Sequence, residues 1–157
     1  MAGQHGEVTV LAVDGNSLAH RAYHAIRESD DAVGHFVTAG VFAMLGSVWS
    51  AGPFDAVVVA FDHATNQRKL DVPAYKANRV SDPVLRQHLD ALQGHVAEAG
   101  FHAVVEHGAE ADDLLAATAR ACEDRDWRCV VLSSDRDLTA LVSDHVTLMR
   151  PRATMSD

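Results

Sequence analysis

Short apolar runs rich in β-branched residues recur along the chain and constrain its fold more than any other feature. Four are strong and a fifth is weaker: VTVLAV (8–13), DAVVVAF (55–61), HAVVE (102–106), RCVVLS (128–133) and HVTLM (145–149). Continuous apolar runs of this length suit strands that are covered on both faces, as in parallel sheets. The sequence therefore predicts a mostly parallel central sheet of about five strands.

Segments with helical periodicity separate these runs. They span roughly residues 17–27, 37–50, 83–99, 111–124 and 136–142. Strands that alternate with helices imply right-handed βαβ crossovers, which place helices on both faces of the sheet. We therefore expect a three-layer α/β fold, with residues 1–157 forming a single domain.

The charge balance does not by itself indicate a partner. The chain of 157 residues has 13 basic and 22 acidic side chains and a formal net charge of −9. Such a balance argues against a nucleic-acid binder, but acids gathered at a metal site would be partly neutralised by divalent cations. No apolar stretch approaches the ~20 residues of a membrane span, and the N-terminus does not resemble a signal peptide. We expect a cytoplasmic chain without a membrane partner.

Acidic side chains follow each of the four strong strands. Parallel strands all end at one edge of their sheet, so these acids should lie close together. Carboxylate oxygens are the ligands that Mg²⁺ and Mn²⁺ prefer, and crowding should raise the pKa of some of them. The sequence predicts a site for one or two such ions, which could activate water against a phosphodiester. The candidate ligands are Asp14, Asp62, Glu110, Asp112, Asp113, Asp135 and Asp137.

Each acid also has a purely structural explanation. Asp14 could form an Asx-turn or cap the first helix, and Asp62 could begin a polar loop. Asp113 could complement a helix dipole, and Asp135 or Asp137 could cap the segment that follows. Their coincidence at one edge of the sheet favours metal binding.

Residues 63–82 interrupt the alternation of strands and helices. A loop of this length in a compact domain is usually functional or disordered. Positive charge also collects in this segment. The basic side chains are Arg68, Lys69, Lys76 and Arg79, and the aromatic Tyr75 lies among them. Basic side chains of this kind contact phosphates, which carry no base sequence, so we expect structure-selective binding of nucleic acid.

Five motifs in order resemble the 5′-nuclease family, which includes the 5′–3′ exonuclease domain of bacterial DNA polymerase I and the flap endonucleases. The motifs are VDGNSLAHRAYHA (13–25), AFD (60–62), YKANR (75–79), GAEADDLLA (108–116) and LSSDRDLTALVSD (132–144). The resemblance implies a PIN-like or resolvase-like fold. It also implies Mg²⁺- or Mn²⁺-dependent cleavage of DNA at 5′ ends or 5′ flaps.

The resemblance also implies individual roles. The catalytic group would be Asp14, Asp62, Lys76 and Arg79. Asp14, Asp62, Glu110, Asp112 and Asp113 would surround a first metal site, with Asp135 and Asp137 between it and a second. The nucleic-acid contacts would be Arg21, Tyr23, Arg68, Lys69, Tyr75, Lys76 and Arg79, with Tyr23 stacked on a base. Lys76 would reach the scissile phosphate at the foot of an arch formed by residues 63–82.

Members of the family continue into a helix–three-turn–helix element with two further aspartates. This sequence ends at Asp157 before either, so we expect the metal-binding half alone, as a fragment or a short protein. It would be weak or inactive without a C-terminal DNA-binding part or a partner such as a DNA polymerase. Two alternatives remain open: an inactive module that binds metal with nucleic acid or a partner, and a PIN-like RNase. A nucleotide-binding domain is disfavoured, because the GNS after the first strand is not a glycine-rich phosphate loop.

Overall fold

The computed structural model describes residues 7–25, 33–63 and 83–151. Within these ranges five strands form one sheet: β1 (Thr9–Asp14), β2 (Ala56–Ala60), β3 (His102–Val104), β4 (Arg128–Leu132) and β5 (Val146–Met149). The helices are α1 (Gly15–Ala25), α2 (Val33–Ala51), α3 (Pro83–Glu98), α4 (Ala111–Glu123) and a 3₁₀ helix (Arg136–Leu141). None of the described helices combines the length and apolarity that a bilayer crossing requires.

The sheet has the order β3-β2-β1-β4-β5, and every neighbouring pair of strands is parallel. The central strand, β1, pairs with β2 on one side and with β4 on the other, where Val13 lies opposite Leu132. The prediction of a mostly parallel five-stranded sheet is confirmed.

Alternate residues of β1 enter two separate cores. Leu11 and Val13 pack with the buried residues of α1, α2 and α3 on one face of the sheet. Val10 and Ala12 pack with those of α4 and the 3₁₀ helix on the other. The side chains of a strand point to opposite faces in turn, so a strand covered on both faces needs an unbroken apolar run. The predicted three-layer α/β fold is confirmed.

Two predicted elements differ from the observed ones. The run 102–106 pairs with its neighbour only over His102–Val104, and Val105 and Glu106 beyond it are exposed. The helical segment 136–142 is a 3₁₀ helix that stops before Val142, whose backbone is extended. A segment of six residues offers little room for α-helical hydrogen bonding, so the tighter 3₁₀ turn is favoured.

The helices that connect the strands change from one face of the sheet to the other at the boundary between β1 and β4. The chain leaves β1 into α1 on one face and reaches β4 from α4 on the other. At such a switch point the loops beyond the carboxyl ends of two adjacent strands separate and leave a crevice, where α/β sheets bind their ligands. The fold therefore places a crevice beyond Asp14 and Leu132.

The first residue of α1, Gly15, lies directly against the buried ring of Phe61. A Cβ at this position would stand 2.7 Å from the ring's Cζ atom. Gly15→Ala is therefore expected to lower the free energy of unfolding by about 1–3 kcal/mol through overpacking, as measured by urea denaturation. The control is Gly94→Ala in α3, where the added methyl group meets nothing within 4 Å apart from its chain neighbours and the helix's own backbone. It should stabilise the chain by about 0.5–1 kcal/mol, and equal stability of the two variants would contradict this packing.

The two thiols are expected to be inert in the folded protein. Burial raises the pKa of Cys122, and burial together with the neighbouring Cys122 raises the pKa of Cys129 to about 12. Both thiols are free and buried, so the reactive thiolate is scarce at neutral pH. Mass spectrometry after iodoacetamide treatment should find slow modification in the native state and fast modification in urea. Rapid modification of either thiol without denaturant would contradict this environment.

Candidate metal centre

The carboxyl ends of the strands open into a cleft of about 1050 Å³. Acids from four separate segments of the chain meet in its wall. All seven of the predicted ligands are among its lining residues: Asp14, Asp62, Glu110, Asp112, Asp113, Asp135 and Asp137. The parallel sheet thus brings them to one edge, although ion binding by them stays a prediction.

Asp14, the last residue of β1, is the most enclosed aspartate of the cleft, with 4% of its surface exposed. Its Oδ1 accepts a hydrogen bond from the backbone N–H of Ser17 at 3.0 Å, and its Oδ2 accepts one from the hydroxyl of Ser133 at 2.7 Å. Burial raises the pKa of Asp14, and the charges of Asp62 and Asp135 raise it further, while the two hydrogen bonds lower it. Asp14 therefore both caps α1 and faces other acids.

Asp62 connects β2 to the start of α4. Its Oδ1 accepts a hydrogen bond from the backbone N–H of Ala111 at 2.7 Å. Its own backbone N–H donates to the side-chain oxygen of Asn16 at 2.9 Å. Hydrogen bonds thus hold Asp62 from two helices: Asn16 in the first turn of α1 and Ala111 in the first turn of α4.

The acids at the start of α4 also stabilise the N-terminus of this helix. Glu110 precedes the helix and is almost fully buried, with 1% of its surface exposed. Its backbone N–H donates to Oδ2 of Asp113 at 2.9 Å, which satisfies one donor at the helix N-terminus. Asp112 lies beside them, half-buried in the same turn. This cluster therefore serves the helix start and the cleft together.

Asp135 caps the 3₁₀ helix. Its Oδ1 accepts a hydrogen bond from the backbone N–H of Asp137 at 2.9 Å, and its own N–H donates to Ser133 Oγ at 3.1 Å. Of the two caps considered for this segment, the structure uses Asp135. Asp137 is exposed at the first turn of the 3₁₀ helix.

The donor chemistry of the cleft fits a hard divalent cation, because its acids offer only carboxylate oxygens. In the arrangement described, no three His, Cys, Asp or Glu side chains within residues 7–25, 33–63 and 83–151 are placed to hold one ion. Several of these carboxylates accept hydrogen bonds from the protein, and an oxygen that accepts one bond keeps a second lone pair. Binding therefore requires some side chains to turn toward a shared point.

One face of α1 lines the cleft with polar and basic side chains. Because α1 begins directly after Asp14, helical periodicity turns Asn16, Ser17, His20, Arg21 and His24 toward the cleft. Arg136 adds a positive charge from the 3₁₀ helix. Arg21 was predicted from the sequence, whereas His20, His24 and Arg136 were not. Counting helical turns from Asp14 would have found the two histidines.

Tyr23 occupies a different face of α1. Its half-buried side chain packs against the core shared by α1, α2 and α3, and it is not among the residues that line the cleft. Its ring contacts His24 edge-on, with centroids 5.6 Å apart. The predicted contact with a base stays a prediction, and core packing accounts for this aromatic residue.

The basic segment falls almost wholly outside the described residues. Only His63 of the range 63–82 is described, and its backbone N–H donates to the carbonyl of Ala109 at 3.2 Å. The predicted roles of Arg68, Lys69, Tyr75, Lys76 and Arg79 therefore remain predictions from the sequence.

Asp14→Asn is expected to raise the melting temperature of the metal-free protein by a few degrees at neutral pH. The pKa of Asp14 is raised, so between its ordinary value of 3.8 and its folded value the folded state binds more protons than the unfolded state. The free energy of unfolding therefore falls as pH rises through that window. An uncharged amide removes this penalty and can still accept the Ser17 N–H. The measurement is thermal unfolding by circular dichroism in EDTA.

Asp90→Asn is the matched control, because Asp90 is exposed on α3 away from the cleft. Its melting temperature should stay close to that of the unmodified chain. A clear loss of stability in Asp14→Asn would contradict the prediction that the ionised Asp14 carboxylate destabilises the metal-free protein.

Solved structures with the same fold contain metal ions. A T5 protein co-crystallized with metal ions superposes with a TM-score of 0.71 at 19% identity, covering 92% of this chain and 56% of that one. The T5 5′-exonuclease with bound zinc gives a TM-score of 0.67 at 21% identity, with the same coverage. At this level of identity the similarity establishes the fold alone.

Sequence relatives point to a single family. The chain is 36% identical over 155 residues to DNA polymerase I of Mycobacterium tuberculosis, covering 95% of this chain and 17% of the relative. It is 35% identical over 147 residues to the thermostable DNA polymerase I of Thermus thermophilus, covering 90% and 18%. The chain thus spans about a sixth of these relatives. The family model described as 5′–3′ exonuclease, N-terminal resolvase-like domain, matches residues 9–157. The resemblance seen in the motifs is confirmed, and the chain belongs to the family of 5′–3′ exonuclease N-terminal resolvase-like domains.

Proposed function

We propose that this chain hydrolyses phosphodiester bonds of DNA at 5′ ends or 5′ flaps, with a divalent metal ion as cofactor. The observation that carries the proposal is the convergence of seven acids from four segments on one cleft of a chain in this family. Charges gathered in this way repel one another unless a cation is present. Burial is the main reason that the pKa of Asp14 is raised, and the charges of Asp62 and Asp135 add to it. Such a cluster lowers the stability of the fold, and this favours a functional role for it.

Mg²⁺ or Mn²⁺ is the cofactor that the donor set favours. Both ions prefer oxygen ligands, and Mg²⁺ usually keeps several waters and binds through one or two carboxylates with substrate phosphates. When bound, one or two such ions supply an activated water and stabilise the leaving oxygen. The residues that would hold them are Asp14, Asp62, Glu110, Asp112, Asp113, Asp135 and Asp137.

The remaining roles belong to positively charged side chains. Arg21 and Arg136 line the cleft and would orient the phosphate backbone of the substrate. Lys76 would approach the scissile phosphate as a point charge, and Arg79 would offer two parallel donors. Together they would offset the repulsion between an acidic cleft and a polyanion, which a net charge of −9 makes considerable.

DNA is the partner that the relatives support. A T5 flap endonuclease of the same fold was solved with DNA and metal ions, at a TM-score of 0.67 and 20% identity. The sequence relatives are DNA polymerases I, of which this chain matches a small part. We therefore propose that the chain works with a polymerase or with a C-terminal DNA-binding part. We also propose that the chain acts in the cytoplasm, where it would work on DNA with such a polymerase.

A catalytically weak module is the second candidate. It is favoured by one observation: in the described residues no three of the relevant side chains are already placed around one ion. Such a module would bind metal and nucleic acid, or a partner, without turnover. A PIN-like RNase would share the acidic cleft but act on RNA, so both substrates must be compared.

Cleavage of a 5′-flap duplex in Mn²⁺ is the direct test. Asp62→Ala should abolish cleavage, because it removes a cleft carboxylate. Lys76→Ala should lower the rate about 10²–10³-fold if the lysine stabilises charge on the phosphate. The readout is product formation on a denaturing gel, with EDTA as the metal-free control and single-stranded RNA as the competing substrate.

Asp90→Ala serves as the control for loss of one negative charge, since Asp90 is exposed outside the cleft. It should leave the cleavage rate unchanged. Flap cleavage that survives both Asp62→Ala and Lys76→Ala would rule out the proposed site. Mn²⁺ binding without cleavage of any substrate would favour the inactive module, and cleavage of RNA alone would favour the RNase.

A further inference from the structure

Ser133 makes a contact that links two parts of the acidic cleft. It follows β4 directly and its surface is fully buried. Its hydroxyl donates to Asp14 Oδ2 at 2.7 Å and accepts the backbone N–H of Asp135 at 3.1 Å. One hydroxyl thus contacts an acid at the end of β1 and the loop that carries two more.

The position of this hydroxyl is fixed by the sheet. The backbone N–H of Ser133 donates to the carbonyl of Met149 at 3.1 Å, which continues the pairing of β4 with β5. On the other side, β1 and β4 are paired up to Val13 and Leu132, the residues just before Asp14 and Ser133. A buried side chain on a backbone held from both sides has little freedom to turn.

The hydroxyl also has a fixed direction. A serine hydroxyl can donate one hydrogen bond, and here the carboxylate of Asp14 accepts it. The oxygen lone pairs remain for the N–H of Asp135. With Ser17 N–H on Oδ1 and Ser133 on Oδ2, both oxygens of Asp14 are held, and each keeps a second lone pair for another partner.

We infer that Ser133 is a positioning residue for the metal centre, which sets the Asp14 carboxylate and the Asp135 loop in a fixed relation so that they can share a cation. The inference rests on the proposed function of the cleft. Groups that hold a ligand in place, without touching the ion, commonly change metal affinity 10–100-fold when they are removed. Loss of the hydroxyl would release Oδ2 of Asp14 and the N–H of Asp135 at once.

A merely structural role predicts a different outcome, and Ser143 provides the comparison. Its hydroxyl also accepts backbone N–H groups, from His145 at 3.3 Å and Val146 at 3.2 Å. It lies just before β5, at the opposite edge of the sheet from the cleft. Ser143→Ala therefore removes a similar set of hydrogen bonds without touching an acid of the cleft.

The experiment is calorimetric titration of the full chain with Mn²⁺ alone. Ser133→Ala should weaken binding 10–100-fold, Ser143→Ala should leave it within about twofold, and Ser133→Thr, which keeps the hydroxyl, should restore most of it. Thermal unfolding of each variant checks that it is folded. If Ser133→Ala does not fold, Ser133→Cys keeps a weaker donor and should show an intermediate loss.

Amide hydrogen exchange in EDTA gives a readout without metal. The N–H of Asp135 should exchange at least tenfold faster in Ser133→Ala than in the unmodified chain or Ser133→Thr, because its acceptor is gone. A folded Ser133→Ala protein that binds Mn²⁺ as tightly as the unmodified chain would overturn the positioning role while the proposed function stands. Absence of Mn²⁺ binding by the unmodified chain would overturn both. Weakened binding in Ser133→Ala, together with no cleavage of any flap by the unmodified chain, would support the positioning role and favour the inactive module over the proposed hydrolysis.

Discussion

The structure depends on how the carboxylate of Asp14 is held at the boundary between β1 and β4. A charged group with 4% of its surface exposed is costly unless it is hydrogen-bonded, and here donors from Ser17 and Ser133 reach both of its oxygens. One donor belongs to α1 and the other to the end of β4. The same contacts therefore start the first helix and join the two halves of the sheet.

Similar contacts tie the remaining segments to this point. Asn16 accepts the backbone N–H of Asp62, whose carboxylate accepts the first N–H of α4 from Ala111. Acids that could bind a cation thus also satisfy backbone donors at the starts of helices. In the described residues no buried side-chain nitrogen or oxygen lacks a hydrogen-bond partner. A polar network satisfied in this way resists distortion, which suits a site that must hold like charges at short range.

Much of this arrangement could be predicted before the fold was seen. Unbroken apolar runs predicted a parallel sheet, and a parallel sheet puts the residues after its strands at one edge, so the gathering of Asp14, Asp62 and Asp135 followed from local pattern alone. Side-chain partners could not be predicted in the same way. Nothing near Ser133 in the sequence indicates a bond to a residue 119 positions away. The packing of Tyr23 on the core also depends on where α2 and α3 lie.

The sequence by itself determined the order of strands and helices, the family and the edge at which the acids collect, because these depend on periodicity and on motifs that are local in the chain. Only the tertiary structure decided that Ser133 bonds Asp14, that Asn16 accepts the N–H of Asp62, and that Asp62 accepts the N–H of Ala111. These outcomes depend on distances between elements that are far apart along the chain. Such distances are set by the packing of two cores against one sheet.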